Sequence, residues 1–408
     1  MYLFSTLPLL AFKQIKATHL LMTEVAVIIV GQADQQLWSL SPQTRLSRLT
    51  TRAGAGPVKS LSKLAPEEPV LLLRADAVIE ERLVRELLKR PGLILTASAH
   101  NSNDEIIALA ARINGKKAIE AASEILLSVP PEIPPEGLSY GTAETIGGAY
   151  DPILRKQAIP FAAQLGDTPK TELEKMTFGA SYKGATDFVT KYVWPMPARI
   201  VTRWCAAAGV TPNQVTTISL GLMFLALYGF WLGQWFWAIP AAWMMTFLDT
   251  VDGKLARVTM TSSKWGGVYD HGIDLIHPPF WWWGWYVGAL PAAQLRGPEF
   301  LYIYEAALLA ILVGYVIQRV YEGVFLWIFK IEGHIWRPFD FWFRTITARR
   351  NPNLFILMIS AFFGTPELGV IAVAAWVLAS LGIHFVRIGY AGILKLSGQS
   401  VTSYLKNG

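Results

Sequence analysis

The chain has 408 residues with a formal net charge of +6, and it is 52% hydrophobic and only 16% charged. Soluble domains average about a quarter charged, so this composition excludes an ordinary soluble globular protein and points to a membrane protein. The single cysteine, Cys205, excludes an internal disulfide framework and a cysteine-based zinc cluster. The positive balance suits a membrane face rich in anionic lipid, and the absence of a basic run interleaved with an aromatic platform argues against a nucleic-acid partner.

Residues 1–21 lack the basic n-region and small-residue cleavage site of a signal peptide and are read as an N-terminal extension. Residues 22–165 then read as a small cytoplasmic α/β domain. "EVAVIIV" (24–30), "PVLLLRA" (69–75) and "GLILTA" (92–97) are buried strands by their apolar runs. "EERLVRELLKR" (80–90) and "NDEIIALAARI" (103–113) read as helices, which together predicts a parallel sheet with helices on its faces. "VPPEIPPEG" (129–137) and the following stretch to about 150 read as a linker or irregular edge, because proline at that density blocks both helix and strand. Residues 171–209 form an amphipathic juxtamembrane region in which Lys191, Arg199 and Arg203 mix with Trp194, Ile200 and Trp204. That suits a helix lying at the membrane surface and equally a linker helix packed on the soluble domain.

Residues 210–392 hold six apolar segments, at about 214–233, 236–257, 266–290, 301–329, 352–366 and 368–392. Most reach the roughly 20 residues needed to span a hydrocarbon core; the fifth is short. The second connection carries Lys254, Arg257 and Lys264, and the fourth carries Lys330, Arg337, Arg344, Arg349 and Arg350, whereas the first and fifth carry no basic residue. Basic residues on alternate sides place both termini, including a tail at 393–408, in the cytoplasm. The expected location is the cell inner membrane. Tryptophans 231, 235, 237, 281–283 and 285 resemble an aromatic belt at the outer interface.

Within this apolar half, "DTVDGKLARVTMTSSKWGGVYDHGID" (249–274) carries four aspartates. Asp249 and Asp252 are three apart at the end of the second segment; Asp270 and Asp274 are four apart at the start of the third. Such spacings share a helix face, and a short connection makes the two helices neighbours, so four carboxylates are expected in one pocket at cytoplasmic depth. Like charges in a partly desolvated site are costly. A pair of divalent cations, Mg²⁺ or Mn²⁺, would offset them. Gly253 and Ala256 leave room for a ligand against the helix, Gly266 permits close approach, and the Arg257 fork matches phosphate oxygens. The chemistry indicated is phosphoryl transfer on a pyrophosphate-bearing substrate.

The spacing Asp249-x2-Asp252-Gly253-x2-Ala256-Arg257-x8-Gly266-x3-Asp270-x3-Asp274 resembles the full signature of the CDP-alcohol phosphotransferase family. The resemblance covers about residues 186–392. It implies a core of six transmembrane helices that transfers a substituted phosphate from a CDP-linked donor to an acceptor hydroxyl, releasing CMP, commonly as a homodimer. By position, Asp249, Asp252 and Asp270 would be metal ligands, and Asp274 the general base toward the acceptor, also touching metal. Gly253, Ala256 and Arg257 would line the CDP site. "TPNQVT" (211–216) resembles the segment opening the family's first span, making Asn213 a candidate donor contact, although Pro212 and Thr211 also read as a simple helix cap. Arg344, Arg349 and Arg350 are candidates for an acceptor phosphate or lipid headgroup, or else an inside-positive anchor. His271 reads as a neighbour of the metal site, and Lys254 and Lys264 as solvated or headgroup-facing.

The N-terminal region weakly resembles the Rossmann-like nucleotidyltransferase domain of bifunctional inositol-phosphate enzymes. Its loop "VGQADQQLWSLSPQTRLSR" keeps Gly31 but has Gln36 where an arginine is expected and no Pro-Lys pair. That implies a retained fold with most catalysis lost, with Asp76 as a residual metal ligand. The motif reads the cytidine half of the donor and leaves CDP-diacylglycerol and CDP-inositol open. Readings of another class are an ion-coupled transporter and an inactive lipid-binding scaffold.

Overall fold

The computed structural model of the chain describes residues 25–406 except residue 101, and the N-terminal extension lies outside the described residues. The chain divides into two compact units, residues 1–182 with 257–261, and residues 183–256 with 262–408.

The first unit runs β1 (Ala26–Val30), α1 (Pro42–Ala53), β2 (Pro69–Arg74), β3 (Ala77–Ile79), α2 (Glu81–Leu88), β4 (Leu93–Ala99), β5 (Ser102–Asn114), α3 (Lys116–Leu127), β6 (Ser139–Thr142), α4 (Ala143–Gly147), β7 (Ala162–Gln164) and α5 (Lys170–Ala180). Five strands form one sheet in the order β1-β2-β5-β4-β6, and β3 pairs with β7. Alternate residues of β2 face opposite sides. Leu71 and Leu73 pack with Leu46, Leu49, Leu83 and Leu87 of α1 and α2, whereas Val70 and Leu72 pack with Ile119, Ala122, Ile125 and Leu126 of α3.

Three features differ from the sequence-based expectation. Residues 103–113 are not a helix but the central strand β5. Its residues 108–111 are fully buried between β2 and β4, and a short, small-residue apolar run that is buried on both faces has no period to betray it. The sheet is therefore mixed, because β5 runs antiparallel to both neighbours while β1–β2 and β4–β6 are parallel. Finally, α1 lies inside what read as loop. Ser41 caps it by accepting from Thr44 N at 3.2 Å, and Gly54 closes it with φ 89°.

The second unit contains α6 (Pro195–Ala207), α7 (Pro212–Trp231), α8 (Trp235–Val258), α9 (Lys264–Gln294), α10 (Pro298–Phe329), α11 (Pro338–Phe343), α12 (Arg350–Phe362) and α13 (Pro366–Leu396). Among the described residues, three helices are long and apolar enough to cross a membrane: α7, α10 and α13. Helices α8 and α9 carry the four aspartates and internal prolines, Pro240 on α8 and Pro278, Pro279 and Pro291 on α9. With 13 residues, α12 is shorter than the roughly 30 Å hydrocarbon thickness requires.

The tryptophans correct the expected aromatic belt. Trp281, Trp282 and Trp285 are core residues, 0–3% exposed, whereas Trp231 and Trp283 face outward. The reason is the spacing "WWWGWYVG": Gly284 and Gly288 bring α9 against α7, where an added Cβ would overlap Leu227 and the Phe230 carbonyl. The large rings fill the flanks of that close contact. Trp281 Nε1 donates to Met223 O and Trp285 Nε1 to Pro366 O, each at 3.0 Å, which satisfies the buried indole donors.

Candidate active site

The two acid-bearing helix ends are set by local chemistry. Helix α9 starts where Ser263 Oγ accepts from Gly266 N at 2.9 Å, one turn before Asp270. Helix α7 starts at a capping box in which Thr211 Oγ1 accepts from Gln214 N at 3.3 Å and Gln214 Oε1 accepts from Thr211 N at 2.8 Å. Ser219 Oγ donates to Met245 O at 3.1 Å, fixing α8 against α7.

The acids converge. One carboxylate oxygen from each of Asp249, Asp270 and Asp274 lies within 4.8 Å of the others, so α8 and α9 do aim acids at a shared point. Asp252 lies deeper, 3% exposed. Its Oδ2 accepts from Thr216 Oγ1 at 2.5 Å, and its Oδ1 is buried with no hydrogen-bond partner. It also lies within electrostatic reach of Asp249 and Asp270. Carboxylate oxygens are the donor set that Mg²⁺ and Mn²⁺ prefer. A buried carboxylate oxygen without a partner is the kind of atom a cation satisfies, so the residues fit such an ion.

Around the acids, an added Cβ at Gly266 would sit 3.1 Å from Asn213 Oδ1, which places those two residues side by side. Gly253 and Ala256 are half-buried on α8. Arg257 belongs to the 257–261 segment that groups with the first unit. Lys254, expected to be solvated, is 5% exposed, because it follows Asp252 and Gly253 on the packed end of α8. His271 is exposed, with Nδ1 3.6 Å from the Asp270 carboxylate.

The three candidate arginines of the fourth connection, Arg344, Arg349 and Arg350, separate. Arg350 turns to the acids: Nη1 donates to Asp274 Oδ1 at 2.5 Å and Nη2 to Asp249 Oδ2 at 2.6 Å. Arg349 pairs with Glu322 instead. It lines, with Glu322, Asp340, Arg344, His334 and His384, a cavity of about 20 Å³. The Arg349 Nε is buried without a hydrogen-bond partner. Behind them Asn351 Nδ2 donates to Asp187 Oδ1 at 2.9 Å, and Thr190 Oγ1 donates to Asp187 Oδ2 at 2.7 Å.

Sequence reading missed Thr216 and the Arg350 pairing. Thr216 lies 36 positions from Asp252, and Arg350 lies 101 from Asp249, so no local spacing announces either.

Residues 209–337 match the family model described as CDP-alcohol phosphatidyltransferase. Over 78 residues the chain is 40% identical to archaetidylinositol phosphate synthase of Pyrococcus horikoshii, covering 19% of this chain and 42% of that protein. Over 95 residues it is 32% identical to phosphatidylinositol phosphate synthase of Streptomyces avermitilis, covering 23% of this chain and 37% of that protein. The chain thus spans less than half the length of these curated relatives. The crystal structure of Mycobacterium tuberculosis phosphatidylinositol phosphate synthase with CDP-DAG bound aligns with 46% of this chain and 91% of that one, at 19% identity and a TM-score of 0.35.

Proposed function

We propose that the chain, whose residues 209–337 match the family model described as CDP-alcohol phosphatidyltransferase, is a multi-pass membrane phosphotransferase dependent on Mg²⁺ or Mn²⁺. It moves a substituted phosphate from a CDP-linked donor to an acceptor hydroxyl and releases CMP. The observation that carries this reading is the convergence of Asp249, Asp270 and Asp274 from two helices, with the partnerless Asp252 oxygen beside them.

Asp249, Asp252, Asp270 and Asp274 would hold two ions. When bound, the ions offset the carboxylates and withdraw charge from the donor phosphates. Asp274 is the most open of the three converging acids, its side chain 42% exposed, as a base that must meet an incoming hydroxyl should be. It takes the hydroxyl proton while the acceptor oxygen forms a bond to the donor's β-phosphorus. The bond from that phosphorus to the bridging oxygen breaks, and CMP departs with that oxygen. Asn213 and Gly266 shape one wall of the donor site, Gly253 and Ala256 leave space along α8, and Arg257 holds donor phosphate.

For the acceptor we take an inositol phosphate, because both curated relatives are named as synthases of an inositol phosphate product. Arg344 and Arg349, on the same connection as Arg350, are the residues taken to hold its phosphate. Six spans, a homodimer and an inner-membrane site with cytoplasmic termini complete the reading. Met196, Ile200 and Trp204, four apart and exposed on α6, suit a helix lying in the headgroup layer.

The α/β part of the first unit, residues 25–182, contributes no chemistry in this account. Both oxygens of Asp76 are engaged: Arg74 donates to them at 2.9 and 2.8 Å, and Gln164 Nε2 donates at 2.8 Å. A carboxylate held in that way is a structural tie rather than a free metal ligand.

The test is CMP release by purified full-length protein from radiolabelled CDP-diacylglycerol and CDP-inositol, with Mg²⁺ or Mn²⁺ and an inositol-phosphate acceptor. The account expects metal-dependent CMP. No CMP from any donor overturns it.

A further inference from the structure

The geometry points to Arg350 as a built-in counter-cation that competes with divalent metal for Asp249 and Asp274. This rests on the metal-dependent reading above and adds a residue to it that the family spacing leaves out.

One guanidinium spans two helices. Its Nη2 binds Asp249 on α8 and its Nη1 binds Asp274 on α9, at 2.6 and 2.5 Å, with the Arg350 side chain 16% exposed. These are two of the three carboxylates whose oxygens converge within 4.8 Å. A planar fork that binds two carboxylates on separate elements occupies ligand atoms as well as supplying charge. The third acid, Asp270, and the buried partnerless oxygen of Asp252 are left without it. Arg350 therefore answers part of the site's negative charge and blocks part of its donor set.

Its place in the chain makes release credible. Arg350 opens α12, and a cation at a helix N-terminus faces the positive end of the macrodipole. The carboxylates are what hold it there. An ion that takes Asp249 and Asp274 removes that hold and frees the Arg350 guanidinium for another anion. Metal and a phosphate-bearing substrate then bind cooperatively, each favouring the released arginine.

Mn²⁺ binding to the purified full-length protein, followed by the electron paramagnetic resonance of free Mn²⁺, tests this without turnover. Arg350→Gln removes the competitor and binds Mn²⁺ about tenfold more tightly than wild type, equivalent to about 1.4 kcal/mol. Arg350→Lys, which keeps the charge but not the fork, lies between the two. Thermal melting gives a second reading: Mn²⁺ raises the melting temperature of Arg350→Gln more than that of wild type, since that variant in chelator has lost the cation that bridges Asp249 and Asp274. Unchanged or weaker Mn²⁺ binding by Arg350→Gln overturns the inference while leaving the metal-dependent function standing. No Mn²⁺ binding by wild type or either variant removes both. Binding by Arg350→Gln with none by wild type supports competition outright.

Discussion

Thr216 Oγ1 donates to Asp252 Oδ2 across 2.5 Å, joining the first helix of the apolar half to the second at the most buried of the four acids. A hydroxyl in that place fixes one carboxylate oxygen and leaves the other, Oδ1, free to meet a cation.

Thr216→Val keeps the shape and removes the donor. A buried charged acceptor that loses a partner costs about 1–3 kcal/mol. The expected outcome is a lower melting temperature in chelator, partly restored by Mn²⁺. Equal melting temperatures for variant and wild type in chelator would remove Thr216 from the site's support.

Asp274→Asn tests the base. Loss of a positioned general base typically costs about 10²–10⁴ in rate, so CMP release falls by at least the lower figure while donor binding, read by equilibrium dialysis of labelled donor, is retained. Full turnover by this variant would assign the proton to another group.

Gly288→Ala tests the packing of α9 against α7 and the turn that leads into α8. A methyl there meets the Phe230 carbonyl and the Gly233 backbone, and Gly233 itself turns the chain with φ 67°. Backbone cannot yield as a side chain would, and overpacking costs about 1–3 kcal/mol. The variant melts at a lower temperature in detergent. An unchanged melting curve would mean the helices slide apart freely.

In the first unit, burial raises the Glu80 carboxyl above its ordinary value of 4.5, despite Arg82 and the Phe161 amide, which donates to it at 3.0 Å. The folded state therefore holds that proton longer than the unfolded chain. The contribution to stability is fully present below pH 4.5 and is lost as pH rises through the folded value. Glu80→Gln keeps an acceptor for Phe161 N and removes the titration. Its melting transition exceeds that of wild type at pH 7 and matches it at pH 4. The reverse order would show that the Arg82 and Lys156 charges outweigh desolvation.

Strands β1, β2 and β4 were legible because each is an apolar run bounded by turn residues. Strand β5 was not, since "IIALAARI" satisfies a helix and a strand alike and only its neighbours β2 and β4 decide. Helix α1 carried its cap signal, "SPQ", but polar residues around it read as loop. The tryptophans of α9 were misplaced because depth along a helix does not tell which side faces lipid; the glycines at 284 and 288 hold that information. At the site the convergence of Asp249, Asp270 and Asp274 could be read from spacing, since helix periodicity converts sequence interval to a shared face; Asp252 lies apart from that group, against Thr216. Which of three neighbouring arginines reaches them could not, because Arg349 and Arg350 leave the start of α12 in different directions.

The most direct test of the acid cluster is the number of Mn²⁺ ions bound per chain at equilibrium. The account predicts about two in the wild type, and fewer, with weaker affinity, in Asp249→Asn and in Asp270→Asn, one change on each helix. Mn²⁺ binding of the same stoichiometry and affinity in wild type and both variants would contradict the claim that α8 and α9 share a metal site.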